Sequence, residues 1–220
     1  LKKEHINIVE SLSNDHKTDE TKIIFEQLKV DIEKIFGYLE KLFSNEANQD
    51  YDIIYDQVVP VGELLSTKIV SAYLNSINLL NSWTDARKLI LTDSSFRNAE
   101  VDWQLTEMSI QNLEWEENLI VTQGFIGGTK GNFMTTLGRE GSDYSAAIFS
   151  NLLSAESLTI WKDVDGVLNA DPKFFNNTIK LDNISYKEAI ELAYFGASVI
   201  HPKTIKPVQN KNIPLWVKSF

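Results

Sequence analysis

The residues best suited to chemistry in this chain of 220 residues lie between Thr135 and Tyr144. Two glycines, Gly138 and Gly141, bracket Arg139, and the pair Ser142-Asp143 follows at what reads as the start of a helix. Glycines there permit sharp turns and close approach of backbone to a ligand. Ser142 is suited to capping a helix, and a helix N-terminus favours an anion. Arg139 presents a planar fork of donors that matches a carboxylate. A capped turn with a solvated arginine fits the same residues, so this stretch alone leaves both readings open.

Other clusters carry weaker signals. Trp161 to Lys173 holds Lys162, Asp163, Asp165, Leu168, Asp171 and Lys173 directly after an apolar run. Ligands of open α/β sheets sit beyond the carboxyl ends of strands, so these acids and cations could handle nucleotide, phosphate and metal. A polar surface loop ending in Asp-Pro is the plainer alternative. Gln123-Gly124-Phe125-Ile126-Gly127-Gly128 reads as a strand running into glycines, which by itself marks a turn. Glu63 sits near a helix start, where an acid is a common dipole partner. Phe195 to Pro202 closes a helix, and His201 before Pro202 reads as structural, since one histidine makes no metal site. Phosphate-binding Gly-x-x-x-x-Gly-Lys-Ser/Thr and Gly-x-Gly-x-x-Gly loops are absent, as are the protein-kinase His-Arg-Asp and Asp-Phe-Gly signatures.

The elements that must position these residues follow from periodicity. Ile24, Leu28, Ile32, Ile35, Leu39 and Leu42 recur at three- and four-residue steps and predict a helix over 20–43. A second helix is expected from about Gly62 to Leu74, with Leu65, Ile69 and Ala72 or Tyr73 inward. Ser44–Asp52 reads as loop. Short apolar runs at Leu119–Thr122, Leu158–Trp161 and Pro214–Lys218 have the texture of buried parallel strands. Helical patterns at 142–155 and 186–195 lie between them, which predicts an α/β layered domain.

Composition sets the outer bounds. The hydrophobic fraction is 43% and the charged fraction 24%, enough for one sizeable core in a single domain over 1–220. With 21 basic against 31 acidic residues the formal charge is −10, which argues against nucleic acid as a partner. No apolar run reaches membrane-spanning length, and Leu1–Glu10 does not read as a signal peptide. The absence of cysteine excludes disulfides and thiolate chemistry within these residues and fits a cytoplasmic setting.

In this order and spacing, the clusters resemble the aspartokinases of the amino-acid kinase family. The resemblance is carried by Val61 to Ser66, Thr122 to Gly127, Thr135 to Tyr144, Trp161 to Lys173, Ser185 to Ala189, Phe195 to Pro202 and Ile213 to Lys218. It is dense from about residue 119 onward and looser between 58 and 105. It implies a three-layer α/β fold, with a mostly parallel central sheet and helices on both faces. It also implies ATP-dependent phosphorylation of the L-aspartate β-carboxylate, with Mg²⁺, in a cytoplasmic homodimer. By the same resemblance, Glu63, Arg139, Ser142 and Phe125 hold the substrate. Asp143 organises phosphate-binding lysines, and Asp143 and Arg139 are the catalytic pair. Lys162, Asp163, Leu168, Asp171, Lys173 and Ser198 hold the nucleotide.

The chain departs from that pattern in several places. Ser198 stands where most members have Lys, Lys162 and Leu168 replace Thr and Tyr, and Lys173 replaces Arg. The family's first strand, Lys-Phe-Gly-Gly-Thr-Ser, and its C-terminal regulatory domains are expected to lie outside these residues. Those departures motivate a second reading, a catalytically weak relative that binds nucleotide or amino acid. A related kinase acting on glutamate or acetylglutamate is a further alternative.

Overall fold

The computed structural model describes residues 1–15, 18–44, 50–114, 117–164, 166–170, 174–194 and 199–220. Asp165, Asp171, Lys173 and Ser198, each singled out by the sequence, lie outside the described residues. The chain divides into two compact units, Leu1–Thr136 and Leu137–Phe220.

The first unit opens with four helices, α1 (Lys2–Asp15), α2 (Asp19–Ser44), α3 (Tyr51–Val58) and α4 (Pro60–Ser76). The predicted stripe of α2 is there, but its most deeply buried residues are Phe25, Leu28 and Ile32; Ile24, Ile35 and Leu39 pack at the margin. Of the inward candidates on α4, Leu65 and Ala72 are buried whereas Tyr73 is exposed. Pro60 stands in the first turn of α4, where its missing N–H costs nothing. The stretch expected as loop up to Asp52 is already helical from Tyr51, with Asp50 accepting from the Asp52 amide as cap.

Among its described residues this unit also holds four short strands and one more α-helix. β1 (Ser82–Thr84) pairs in parallel with β2 (Ile120–Thr122). Helix α5 (Trp103–Gln111) lies between them in sequence. β3 (Ile126–Gly128) pairs antiparallel with β4 (Met134–Thr136). Residues 90–92 run alongside β3, with the Gly128 amide donating to the Ile90 carbonyl (3.0 Å) and the Thr92 amide to the Gly128 carbonyl (2.9 Å). A methyl group on Gly128 would lie 2.3 Å from the Arg87 carbonyl oxygen, so close backbone approach rather than a turn explains the glycine.

The second unit alternates helix and strand: α6 (Gly141–Leu152), β5 (Leu158–Lys162), α7 (Tyr186–Tyr194), α8 (Pro202–Asn210) and β6 (Leu215–Ser219). β5 and β6 pair in parallel over five residues, from Leu158 with Leu215 to Lys162 with Ser219. Leu158 and Ile160 face a core made by Ala147 of α6, Ile205 and Val208 of α8, and Ile200 and Ile213. Because side chains alternate along a strand, Trp161 points the other way, where it stacks on Phe220 at 6.2 Å. The parallel strands and interleaved helices expected of an α/β protein are therefore present. No helix among the described residues is long and apolar enough to cross a membrane.

Candidate functional site

In the second unit the Gly138–Gly141 turn is built from two left-handed residues. Gly138 has φ 76° and Glu140 has φ 55°. The Gly141 amide closes the turn on the Gly138 carbonyl at 3.1 Å. Glycine adopts this conformation freely; for glutamate it costs about 1–2 kcal/mol, so the surroundings must hold it. Glu140 also occupies the cap position of α6 that Ser142 was expected to fill, and its side chain makes no capping bond. Ser142 is instead exposed inside the first turn. Arg139 is exposed between the two left-handed residues, with no hydrogen bond or ion pair to the described residues.

What holds Glu140 is Lys162. The last residue of β5 shares the face of Leu158 and Ile160, which directs it toward the start of α6. Its ammonium lies 2.8 Å from Asp143 Oδ2 and 3.1 Å from Glu140 Oε2. The Lys162 and Asp143 side chains are only 17% and 13% exposed. Burial alone would lower the Lys162 pKa, but the two carboxylates outweigh it and hold the ammonium above its ordinary value. Burial pushes the Asp143 carboxyl up, against the pull of Lys162, and the like charge of Glu140 adds to that push. Asp143 and Glu140 also complement the positive end of the α6 dipole. Asp143 is thus ion-paired with Lys162 at the start of α6.

Asp163 is exposed directly after Lys162. Leu168 is half-buried in a hairpin-like return, bridging antiparallel to Lys180, and the Asn169 amide donates to the Ile179 carbonyl at 3.0 Å. His201 is structural, as expected: its Nδ1 caps α8 by accepting from the Lys203 amide at 3.1 Å. Lys203 reaches back to the turn, donating from Nζ to the Leu137 carbonyl at 3.0 Å and lying 4.8 Å from the Tyr144 ring centre. Glu140 carried no signal of its own in the sequence, since glutamate is a common surface residue; Lys203 stood out there only as a cation close in sequence to Ser198.

In the first unit Glu63 lies in the first turn of α4. Its carboxylate has no hydrogen-bond or ion-pair partner among the described residues, and burial pushes its pKa up. A half-buried carboxylate without a partner is suited to a ligand cation. Its backbone is fixed from behind: Thr67 Oγ1 donates to the Glu63 carbonyl at 2.7 Å while accepting from Gln123 Nε2 and Trp83 Nε1, both at 3.0 Å. Gln123, almost fully buried, also accepts from the Ala86 amide at 2.9 Å. Phe125, two residues on, has φ 70°, uncommon for an aromatic residue, and packs against the core of this unit.

Comparison with known proteins adds a separate line of observation. The pattern of the amino acid kinase family matches residues 3–219. The chain is 38% identical over 200 residues to a maize protein named bifunctional aspartokinase/homoserine dehydrogenase 2, chloroplastic, covering 88% of this chain and 21% of that one. It is 36% identical over 195 residues to lysine-sensitive aspartokinase 3 of Escherichia coli, covering 87% of this chain and 43% of that one. Among solved structures, E. coli aspartokinase III in complex with aspartate and ADP superposes with a TM-score of 0.78 at 32% identity, over 98% of this chain and 53% of that one. The lysine- and aspartate-bound form of the same enzyme gives 0.72 at 30% identity. The chain therefore spans about half or less of the length of these relatives.

Proposed function

This chain belongs to the amino acid kinase family, and from that membership we propose that it is the catalytic domain of an aspartokinase. The reaction is transfer of the γ-phosphoryl group of ATP to the β-carboxylate of L-aspartate. A carboxylate oxygen attacks the γ-phosphorus, the bond to the β,γ-bridging oxygen breaks, and ADP leaves with that electron pair. No general base is required, because the attacking carboxylate is already ionised at neutral pH. The protein's task is then positioning and neutralisation of charge.

The observation that supports this reading best is the likeness, over 98% of this chain, to an aspartokinase bound to aspartate and ADP. The site residues fit it by type. Glu63, a carboxylate without a partner, suits the ammonium group of the amino acid. Arg139, exposed and unpaired among the described residues, suits a carboxylate, with Ser142 close by in sequence; Phe125 belongs to the substrate side of the proposal through the sequence resemblance alone. Lys162, held by Asp143 and Glu140, suits phosphate oxygens, and Asp163 and Leu168 extend the same nucleotide side. Asp171, Lys173 and Ser198 belong to the proposal through sequence alone.

Mg²⁺ enters as the counter-ion of ATP, neutralising charge on the β- and γ-phosphate oxygens. Asp143 and Glu140 are engaged by Lys162; the ion, when bound with ATP, would supply charge neutralisation at the transferring phosphoryl group. A homodimeric, cytoplasmic protein completes the proposal.

The test is an assay of ADP release from Mg-ATP by the full-length protein with L-aspartate, glutamate or acetylglutamate, on wild type and Arg139→Ala. Turnover with aspartate alone is expected, with KM for aspartate at least tenfold higher in the variant, about 1.4 kcal/mol or more of lost binding. Turnover with glutamate instead, or unchanged aspartate kinetics in Arg139→Ala, overturns the assignment.

A further inference from the structure

The Gly138–Gly141 turn holds a glutamate in a left-handed conformation that it adopts reluctantly, and it leaves Arg139 exposed at its tip. Such a conformation persists only where neighbours over-determine it. Two cations do so from opposite ends. At the exit, Lys162 holds the Glu140 and Asp143 carboxylates. At the entrance, Lys203 donates to the carbonyl of Leu137, the residue before Gly138, at 3.0 Å.

Lys203 is itself well anchored. It stands in the first turn of α8, with its amide bound to His201 Nδ1 and its ammonium 4.8 Å from the ring centre of Tyr144 on α6. Leu137 is fully buried, so its carbonyl has little access to water as a substitute partner. A charged donor on a buried carbonyl is the stronger kind of hydrogen bond. The contact therefore fixes the path of the backbone two residues before Arg139.

We propose that Lys203 is a positioning residue for Arg139: it acts through the Leu137 carbonyl to hold the Gly138–Gly141 turn in the geometry that presents the guanidinium to the carboxylate of the acceptor substrate. The inference rests on the role given to Arg139 above. It adds a residue 64 positions later in the chain and a mechanism that does not require Lys203 to touch substrate. Losing the brace lets the turn sample conformations in which Arg139 is misdirected, so acceptor affinity falls while the arginine is still there.

The experiment compares Lys203→Met, Lys203→Arg and Arg139→Ala with wild type in the full-length protein. Three readouts are taken: KM for aspartate and for ATP, melting temperature, and amide hydrogen exchange of peptides covering 137–141. In Lys203→Met, exchange across 137–141 should rise about tenfold, and KM for aspartate should rise about tenfold, the scale expected for one charged hydrogen bond. KM for ATP and kcat should stay within about threefold of wild type. Lys203→Arg, which keeps a cationic donor, should recover most of both losses. Unchanged exchange across 137–141 overturns the brace. A fall in melting temperature with unchanged KM for aspartate, or an equal rise in both KM values, overturns the positioning role in favour of a merely structural one. If Arg139→Ala binds aspartate as well as wild type, the reading of Arg139 falls and the positioning role with it; the exchange data then report on the brace alone.

Discussion

Asp56→Ala should be among the most damaging single changes in the first unit. The Asp56 side chain is fully buried on α3. Oδ2 accepts from the Arg97 amide at 2.8 Å and the Thr136 amide at 2.9 Å, and Oδ1 accepts from Thr136 Oγ1 at 2.8 Å. The carboxylate thus joins α3, the 97 loop and the end of β4. Beside it, Gln57 Nε2 donates to the Met134 carbonyl at 2.9 Å and its Oε1 accepts from the Met134 amide at 3.1 Å, as a neighbouring strand would. Alanine removes all three Asp56 bonds and leaves the buried Thr136 amide and hydroxyl, and the part-buried Arg97 amide, without that partner. Each bond to a charged group carries about 1.5–3 kcal/mol, and such losses are less than additive at one site, so about 4 kcal/mol is expected. For a chain of this length that is a fall of about 8–16 °C in melting temperature. Urea denaturation measures it as a lower midpoint at constant slope. Asp52→Ala is the control: its ion pair with Arg97 is half exposed on both sides, and about 0.5 kcal/mol or less is expected. If Asp56→Ala loses less than about 1 kcal/mol, the three donors are finding water, and β4 is not held by α3.

Gly37→Ala should stabilise the protein by about 0.5–1 kcal/mol, because Gly37 lies inside α2 and an added methyl group meets no atom within 4 Å; a lower urea midpoint would contradict it. Glu63→Gln should raise the melting temperature at pH 7 while raising KM for aspartate. The sign follows from linkage: burial raises the folded pKa of Glu63 above its unfolded value, so the ionised group destabilises the fold above that range, and the penalty vanishes as pH falls through the folded pKa. The advantage of the glutamine variant should therefore shrink as the solution is acidified below the glutamate range. An advantage that grows on acidification would refute the burial argument.

How far the sequence carried depended on whether apolar residues marked the buried face. On α2, β5 and β6 they did, and the expected spans differ from the observed ones by a residue or two. Helix α3 was read as loop at its start because the residues it buries are Asp56 and Gln57, which no hydrophobic period can reveal. Helix α5 escaped in the same way, with Thr106 fully buried where it exchanges hydrogen bonds with both backbone groups of Leu91. Ser142 was a sound candidate for a cap by type, but the left-handed Glu140 took that position. Within the second unit the Arg139 and Lys162 clusters were visible from residue type and order. Their junction through Glu140 and Asp143 was not, because it needs the direction of β5 relative to α6.

The strained residues sharpen the functional reading. Among the described residues, seven other than glycine have positive φ, and three of them are asparagines, which tolerate that conformation. Ser154 follows the end of α6, where a left-handed residue commonly stops a helix. Arg97, Phe125 and Glu140 remain, and none of these types favours the conformation. Arg97 is held through its amide by Asp56 and Glu140 through its side chain by Lys162. Asp56 also fixes Thr136 at the end of β4. A helix-borne carboxylate in the first unit and a lysine in the second thus stabilise backbone that local preferences oppose. In the second unit, the strain maintained at Glu140, beside an exposed arginine and within a lysine–carboxylate cluster, is better accounted for by the demands of a ligand than by those of folding.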